Sequence, residues 1–284
     1  MIYIPIIGAL ALASGTILQR VVLKKSKVGI KTYQVAEFLA IVLIMLPFIY
    51  FFWKLEPAAL ELKNILIFSS VIVLSIIANL FVFFSMKWEK VSNLEPAKIL
   101  EPLFVILLAI IFSFIFGETL YDRNLKILVP ALIAGGALVF SHIKRHHISF
   151  NKYFIAAIAG SFFFASELVV TRLILDFYSP ISFYFLRCSA ILLISFLIFR
   201  PNLSKLTKKS KFQIIITGII WVIFRVIVYY GYITYGVIFT TLIIMLGPIF
   251  IYIFAYKFLN EKPNWKNISA AAIIVASVVY ALLA

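Results

Sequence analysis

Charge is scarce in this chain, and negative charge is scarcer still. Charged residues make up 13% of the 284, with 26 Lys and Arg against 11 Asp and Glu, while 64% are hydrophobic. A soluble domain is nearer one quarter charged and half apolar, so the composition excludes a soluble globular protein and points to a lipid bilayer. In that setting the net charge of +15 reads first as membrane topology and not as a nucleic-acid footprint. Cysteine is almost missing: Cys188 stands alone in an apolar run, which excludes an intrachain disulfide. The phosphate-loop, paired zinc-ligand and Gly-x-Ser-x-Gly patterns are also missing, which argues against an ATP-driven pump or a hydrolase and calls for no cofactor or metal. Met1 to Leu23 lacks the basic start and small-residue cleavage site of a leader.

Apolar runs, by contrast, are abundant. A helix needs about 20 residues to cross the bilayer core. Ten spans are expected: Ile2–Leu23, Tyr33–Trp53, Ile65–Met86, Asn93–Phe116, Leu125–Ser141, Tyr153–Leu173, Ile181–Phe199, Phe212–Tyr235, Val237–Leu259 and Ile268–Leu283. The tightest boundary is Tyr235-Gly236, where two helices meet with almost no loop. Of the 26 Lys and Arg, 17 fall in loops after odd-numbered spans and 4 after even-numbered ones. Lys and Arg concentrate in cytoplasmic loops, so both termini are expected outside the cytoplasm, in a multi-pass protein of the plasma (inner) membrane. Asn202-Leu203-Ser204 and Asn267-Ile268-Ser269 fit the glycosylation pattern but fall on the inner side and carry no weight.

The letters also repeat. Gly8, Ala13, Ser14, Arg20 and Leu23 match Gly160, Ala165, Ser166, Arg172 and Leu175 at one constant offset, and Glu118 and Asn124 match Glu261 and Asn267 at another. The expected units are 1–142 with helices 1–5, a basic inner linker 143–151 and 152–284 with helices 6–10. The linker region, with His142, His146 and His147 among Lys144 and Arg145, reads as lipid-facing because the further ligands of a metal site are missing. Five helices is an odd number, so the second unit enters the membrane inverted relative to the first, as in many secondary transporters. Two such units rocking about a shared midplane site give alternating access. Pro102 and Pro248 sit in the fourth span of each unit and would free the carbonyls of Lys98 and Ile244. Freed carbonyls at depth are tolerated only against protein or a water-filled cavity.

These features resemble the EamA-like branch of the drug/metabolite transporter superfamily. The resemblance rests on two five-helix units, each opening with a small-residue helix that ends in Arg20 or Arg172. It rests also on Pro102 and Pro248 in the fourth helices and on Glu118 and Asn260-Glu261-Lys262 before short fifth helices. It implies a ten-helix bundle around a central cavity, and exporters of amino acids and small metabolites are common in that family. Two departures stand out. Pro102 lies 16 residues before Glu118, whereas Pro248 lies 13 before Glu261. Family members are also commonly placed with cytoplasmic termini, opposite to the charge count here.

Ionisable residues inside spans are costly and usually face the interior. Glu95, Lys98 and Glu101 fall three apart, so Lys98 can touch both acids along one helix face. Glu101, roughly 10 Å past the inner boundary, is either part of an ion-paired helix start or a carboxylate that binds an amine or carries a proton beside a broken backbone. Arg225 is central in the eighth span, with Trp221, Tyr229 and Tyr232 at helical spacing. It reads either as a structural cation stacked on Trp221 and paired to an acid, or as a clamp for a substrate carboxylate or phosphate. Arg187, inside the seventh span, either is neutralised by Glu167 of the sixth or binds substrate. Glu37, about one turn into the second span, is a second proton-coupling candidate or an interfacial cap. Asn79 either donates to substrate or pairs between helices. Glu118 and Glu261 favour a structural role at helix starts.

Three function classes remain. The first is a secondary transporter for a small polar metabolite, exporting an amino acid or related compound, with Glu101 or Glu37 as the candidates for proton coupling. The second is a membrane enzyme on lipid or prenyl substrates, for which the Asp-rich motifs are missing; the third is a receptor or channel-like protein. The partners expected are a small-molecule substrate and the lipid bilayer, with no nucleic acid; monomer and homodimer stay open.

Overall fold

In the computed structural model, the described residues are 3–25, 28–89, 94, 97–117, 120–121, 124–142, 151–250, 253 and 265–283. They are helical nearly throughout. The helices are α1 (Tyr3–Arg20), α2 (Ile30–Phe52), α3 (Leu62–Trp88), α4 (Leu100–Phe116), α5 (Leu125–His142), α6 (Lys152–Arg172), α7 (Pro180–Phe199), α8 (Lys208–Thr234), α9 (Val237–Ile244) and α10 (Trp265–Leu283). Among the described residues six helices are long and apolar enough to cross a membrane, and four further apolar helices are shorter. Helices are what an apolar chain must form in lipid, because each backbone N–H and C=O then finds its partner within the same segment. Polar residues set the starts: Asn151 caps α6 by accepting from the Tyr153 and Phe154 amides, Ser179 caps α7 ahead of Pro180, and Thr207 caps α8.

The main packing partners are α3 with α6, α5 with α10, α1 with α8 and α2 with α7, followed by α4 with α6 and α2 with α8. Each pair joins a helix from before residue 143 to one from after residue 151. The two halves are therefore interleaved, not laid side by side as independently rocking bodies. Small residues let the cross-pairs approach. A Cβ on Gly160 would stand 2.7 Å from Val82 Cγ2 and 3.4 Å from the Ala78 carbonyl on α3, and one on Gly8 would stand 2.9 Å from Ile227 Cγ2 on α8. Phe51, Phe114, Leu197 and Val279 stay exposed on the outside, the inverse of a soluble surface and suited to lipid.

The ends of the bundle are tied across the halves. Leu55 and Tyr178 form an isolated antiparallel bridge, the Glu56 amide donates to the Phe177 carbonyl at 2.9 Å, and the Ser179 hydroxyl donates to the Phe52 carbonyl at 2.6 Å. At the opposite end the Asn151 amide donates to Glu89 Oε2 at 2.9 Å. The link expected to be shortest is so: α8 ends at Thr234, and Gly236 with φ +84 turns the chain directly into α9. A side chain would be strained at that φ.

The fourth and ninth segments differ from expectation. The continuous helix begins at Leu100, not Asn93, after a turn at Ile99, so Pro102 falls in the first helical turn. There its missing N–H costs nothing, and the turn at Ile99 separates it from the helical residues Ala97 and Lys98. Around Pro248 the helix breaks in the same way: α9 stops at Ile244, Met245 and Leu246 form a turn, and residues 247–250 are helical again. The Leu246 amide donates to the Ile243 carbonyl at 3.0 Å, a tightened turn. Each break falls three residues before its proline. Glu95, Glu118, Glu261 and the linker histidines His146 and His147 lie outside the described residues.

Candidate functional site

Three helices bring a buried charge cluster together. α6 supplies Glu167, α7 Arg187 and α8 Arg225 with Tyr229, all nearly without exposure. Arg187 Nη1 stands 3.4 Å from Glu167 Oε1, and Arg225 Nη1 stands 3.4 Å from Glu167 Oε2. One carboxylate thus serves two guanidiniums. Arg187 is held on every side: Nε donates to Ser75 Oγ on α3 at 2.9 Å, Nη1 donates to the Tyr229 hydroxyl, and the group lies over the Tyr184 ring at 5.5 Å. Thr171 and Tyr229 donate to Glu167 Oε1, each at 3.3 Å. Arg225 is different. It lies 5.4 Å over Phe164 and 5.8 Å from Phe224, but among the described residues neither its Nη1 nor Glu167 Oε2 makes a hydrogen bond.

Glu101 approaches this cluster from α4. It interacts electrostatically with Arg225, Lys98 and Glu167, and it retains accessible surface that Glu167 lacks. Lys98 Nζ lies 3.8 Å from Met86 Sδ on α3. The structure thus brings the sequence candidates Glu101, Lys98, Arg225, Arg187 and Tyr229 around one cluster, with contacts that spacing along single helices does not give. Arg225 does not stack on Trp221; it rests on Phe164 and Phe224 because the Trp221 ring, one turn earlier, is turned edge-on to Phe224. Asn79 is buried, but its amide donates to the Ser75 carbonyl of its own helix at 2.7 Å, so its donor makes no link between helices.

A second polar cluster sits apart. Glu37 is about two turns inside α2 and not at its edge, buried at 3% exposure, which removes the reading as an interfacial cap. Its Oε1 accepts from the Tyr33 hydroxyl at 2.7 Å and from the Gln19 amide on α1 at 3.3 Å. Trp221 Nε1 also faces this carboxylate, without meeting hydrogen-bond geometry, and Thr217 approaches the Tyr33 hydroxyl. Thr217, Trp221, Arg225 and Tyr229 are spaced by four along α8, one stripe on its surface. Sequence reasoning found Trp221, Arg225 and Tyr229 but missed Thr217, Gln19 and Ser75. The spacing of four was the available signal for Thr217; nothing local marked Gln19 or Ser75. Among the described residues no group of three or more His, Cys, Asp or Glu could hold a metal ion.

Residues 151–283 match the model of the EamA-like transporter family. These residues, just under half of the chain, are similar to that family. The match begins where the basic linker ends, and this EamA-like half contributes Glu167, Arg187, Arg225 and Tyr229. With its apolar helices, the chain is a multi-pass membrane protein. No curated protein matches it. Among solved structures 28 chains match; one, titled only as the crystal structure of a protein, is 16% identical with a TM-score of 0.70, covering 99% of this chain and 97% of its own. At that identity the likeness concerns the fold alone.

Proposed function

We propose that the chain is a secondary transporter built from two inverted five-helix repeats, 1–142 and 152–284 joined by 143–151, moving a small polar metabolite by alternating access. The single observation carrying this reading is the meeting of Glu101 from the first half with the Glu167–Arg187–Arg225 cluster of the second, beside the helix break at Ile99. Support for the inverted repeat comes from parallels between the halves. Gly8 and Gly160 both sit at close helix contacts, and the Ser14 and Ser166 hydroxyls each donate four residues back along their helices. Exchanging helices 1–5 with 6–10 turns the α1–α8 pair into α6–α3 and leaves the α2–α7 and α5–α10 pairs unchanged.

In this reading Arg225, with an unsatisfied Nη1, receives a substrate anion, and Glu101 with Lys98 beside it faces the opposite end of the molecule. Arg187 and Tyr229, already fully engaged, position Arg225 through Glu167; Trp221 and Asn79 line the surrounding wall. An amino acid or related compound, exported from the cytoplasm, suits such paired charges. The cross-paired helices move relative to one another, opening at the breaks near Pro102 and Pro248. Both termini lie outside the cytoplasm in the inner membrane, as the basic loops require.

The test is flux in reconstituted vesicles using a mixture of labelled amino acids, with and without a pH gradient. Arg225→Ala should lower that flux on the order of a hundredfold while the protein still folds, because a lost charge-assisted bond to substrate costs about 2–3 kcal/mol. No flux of any metabolite through the unaltered protein, or flux unchanged in R225A, sinks the reading.

A further inference from the structure

Three acids of described position lie within the spans near polar partners, and they differ in how their charge is met. Glu167 stands against two arginines, and Glu101 interacts with Arg225 and Lys98. Glu37 forms no ion pair among the described residues; its contacts are neutral. The groups around it can be taken element by element. Its own helix gives Tyr33, itself edge-on to Phe83 of α3 at 5.1 Å. From α1 comes Gln19, and from α8 come Thr217 and Trp221. One turn earlier α2 is tied to α7 by the Gln34 amide donating to Ser195 Oγ at 2.8 Å, both neutral groups. Tyr33 is the other titratable group in this set, and none of the set is charged.

A carboxylate taken out of water without a cation exchanges its charge by gaining or losing a proton. We propose that Glu37 is the site of the coupling proton, distinct from the substrate cluster and linked to it through α8. This deepens the transporter reading and rests on it for its purpose, though the proton site itself does not. When the carboxylate is ionised, the Tyr33 O–H and the Gln19 N–H supply its donors. When a proton binds, the new carboxyl O–H needs an acceptor, and the Tyr33 hydroxyl oxygen is in place to take it, its own proton then turning to Thr217. That exchange of donor for acceptor acts on the stripe Thr217–Trp221, one helical turn from Arg225. The proton therefore biases the position of α8, the element that presents Arg225 to substrate.

Trp221 is a built-in reporter. The four tryptophans are Trp53, Trp88, Trp221 and Trp265, and replacing the other three by Phe isolates its emission. In lipid nanodiscs, titration from about pH 5 to about pH 9 should show one fluorescence transition that vanishes in Glu37→Gln and persists in Glu101→Gln. Glu37→Asp, which keeps a carboxyl, should shift the transition and not abolish it, guarding against a misfolded Gln variant. In vesicles, a gradient of one pH unit sustains at most about tenfold accumulation per proton, and for the labelled amino-acid mixture E37Q should reduce that ratio to about one. A transition that survives in E37Q, or accumulation that E37Q leaves untouched, overturns the proposal. A transition lost in E37Q while the unaltered protein accumulates nothing overturns the transporter reading and leaves the proton site standing.

Discussion

Glu167→Gln is the substitution with the largest expected cost to stability. The change keeps the side chain's size but removes the charge shared by Arg187 and Arg225, each at 3.4 Å. Arg187 retains Ser75 and Tyr229 as partners, whereas Arg225 keeps its aromatic contacts and the electrostatic interaction with Glu101. Removing one member of a buried ion pair costs about 3–5 kcal/mol, because the remaining charge is left uncompensated. Two charges are stranded here, at 2% and 7% side-chain exposure, so the upper part of that range applies. A loss of about 4 kcal/mol corresponds to a fall of roughly 8–16 °C in midpoint for a chain of this size class. Thermal unfolding in detergent, followed by the remaining monodisperse fraction on size exclusion, measures it. Comparing Glu167→Gln, Arg187→Met and the double variant separates the pair term, which should be well above 0.5 kcal/mol for groups in contact. The triple change Glu167→Leu, Arg187→Met and Arg225→Leu should recover much of the stability, since apolar replacements of a buried ion cluster are often neutral, yet it should remain without transport. An E167Q protein melting within about 2 °C of the unaltered one would refute the argument that this carboxylate holds the cluster together.

Two further expectations concern the cross-paired architecture. Gly160→Ala should destabilise by about 1–3 kcal/mol through overpacking, because the added methyl meets the Val82 backbone as well as its side chain. Gly8→Ala should cost less, since only the movable Ile227 side chain stands in the way; equal midpoints for the two variants would contradict the close α3–α6 contact. In a Cys188→Ser background, cysteines at positions 55 and 178 should form a disulfide under mild oxidation, because bridged antiparallel residues have Cα atoms about 4.5–5.5 Å apart. Protease cleavage in the linker followed by non-reducing electrophoresis reads it. Two separate fragments would show that the loops after α2 and α6 are not joined.

Much of the fold could be read directly from the letters, because a bilayer leaves the backbone few choices. Apolar runs of the right length must be helices, capping residues such as Ser179 mark where they start, and Gly236 marks where two of them meet. The family resemblance carried by the small-residue helices and the fourth-span prolines agreed with the match over residues 151–283. Periodicity also put Trp221, Arg225 and Tyr229 on one face of α8, and the cost of an isolated intramembrane charge made Arg187 and Glu167 natural partners. Such signals are local or additive, and they act without knowledge of neighbours.

What the letters left open depends on which helix lies against which. Two arginines converge on Glu167 because α6, α7 and α8 surround one point, and no spacing within a single helix encodes that convergence. Glu37 looked like an edge residue by its place along the chain; α1 and α8 cover it, with neutral groups and no cation among the described residues. Pro102 and Pro248 looked like mid-helix kinks in sequence, yet each stands just after a turn, at Ile99 and at Met245-Leu246, in the opening turn of a new helical segment. Sequence alone determined that this chain lives in lipid as a bundle of helices with a few buried charges. Tertiary structure decided how those charges are matched, since electrostatic compensation in a low dielectric is a property of distances between segments.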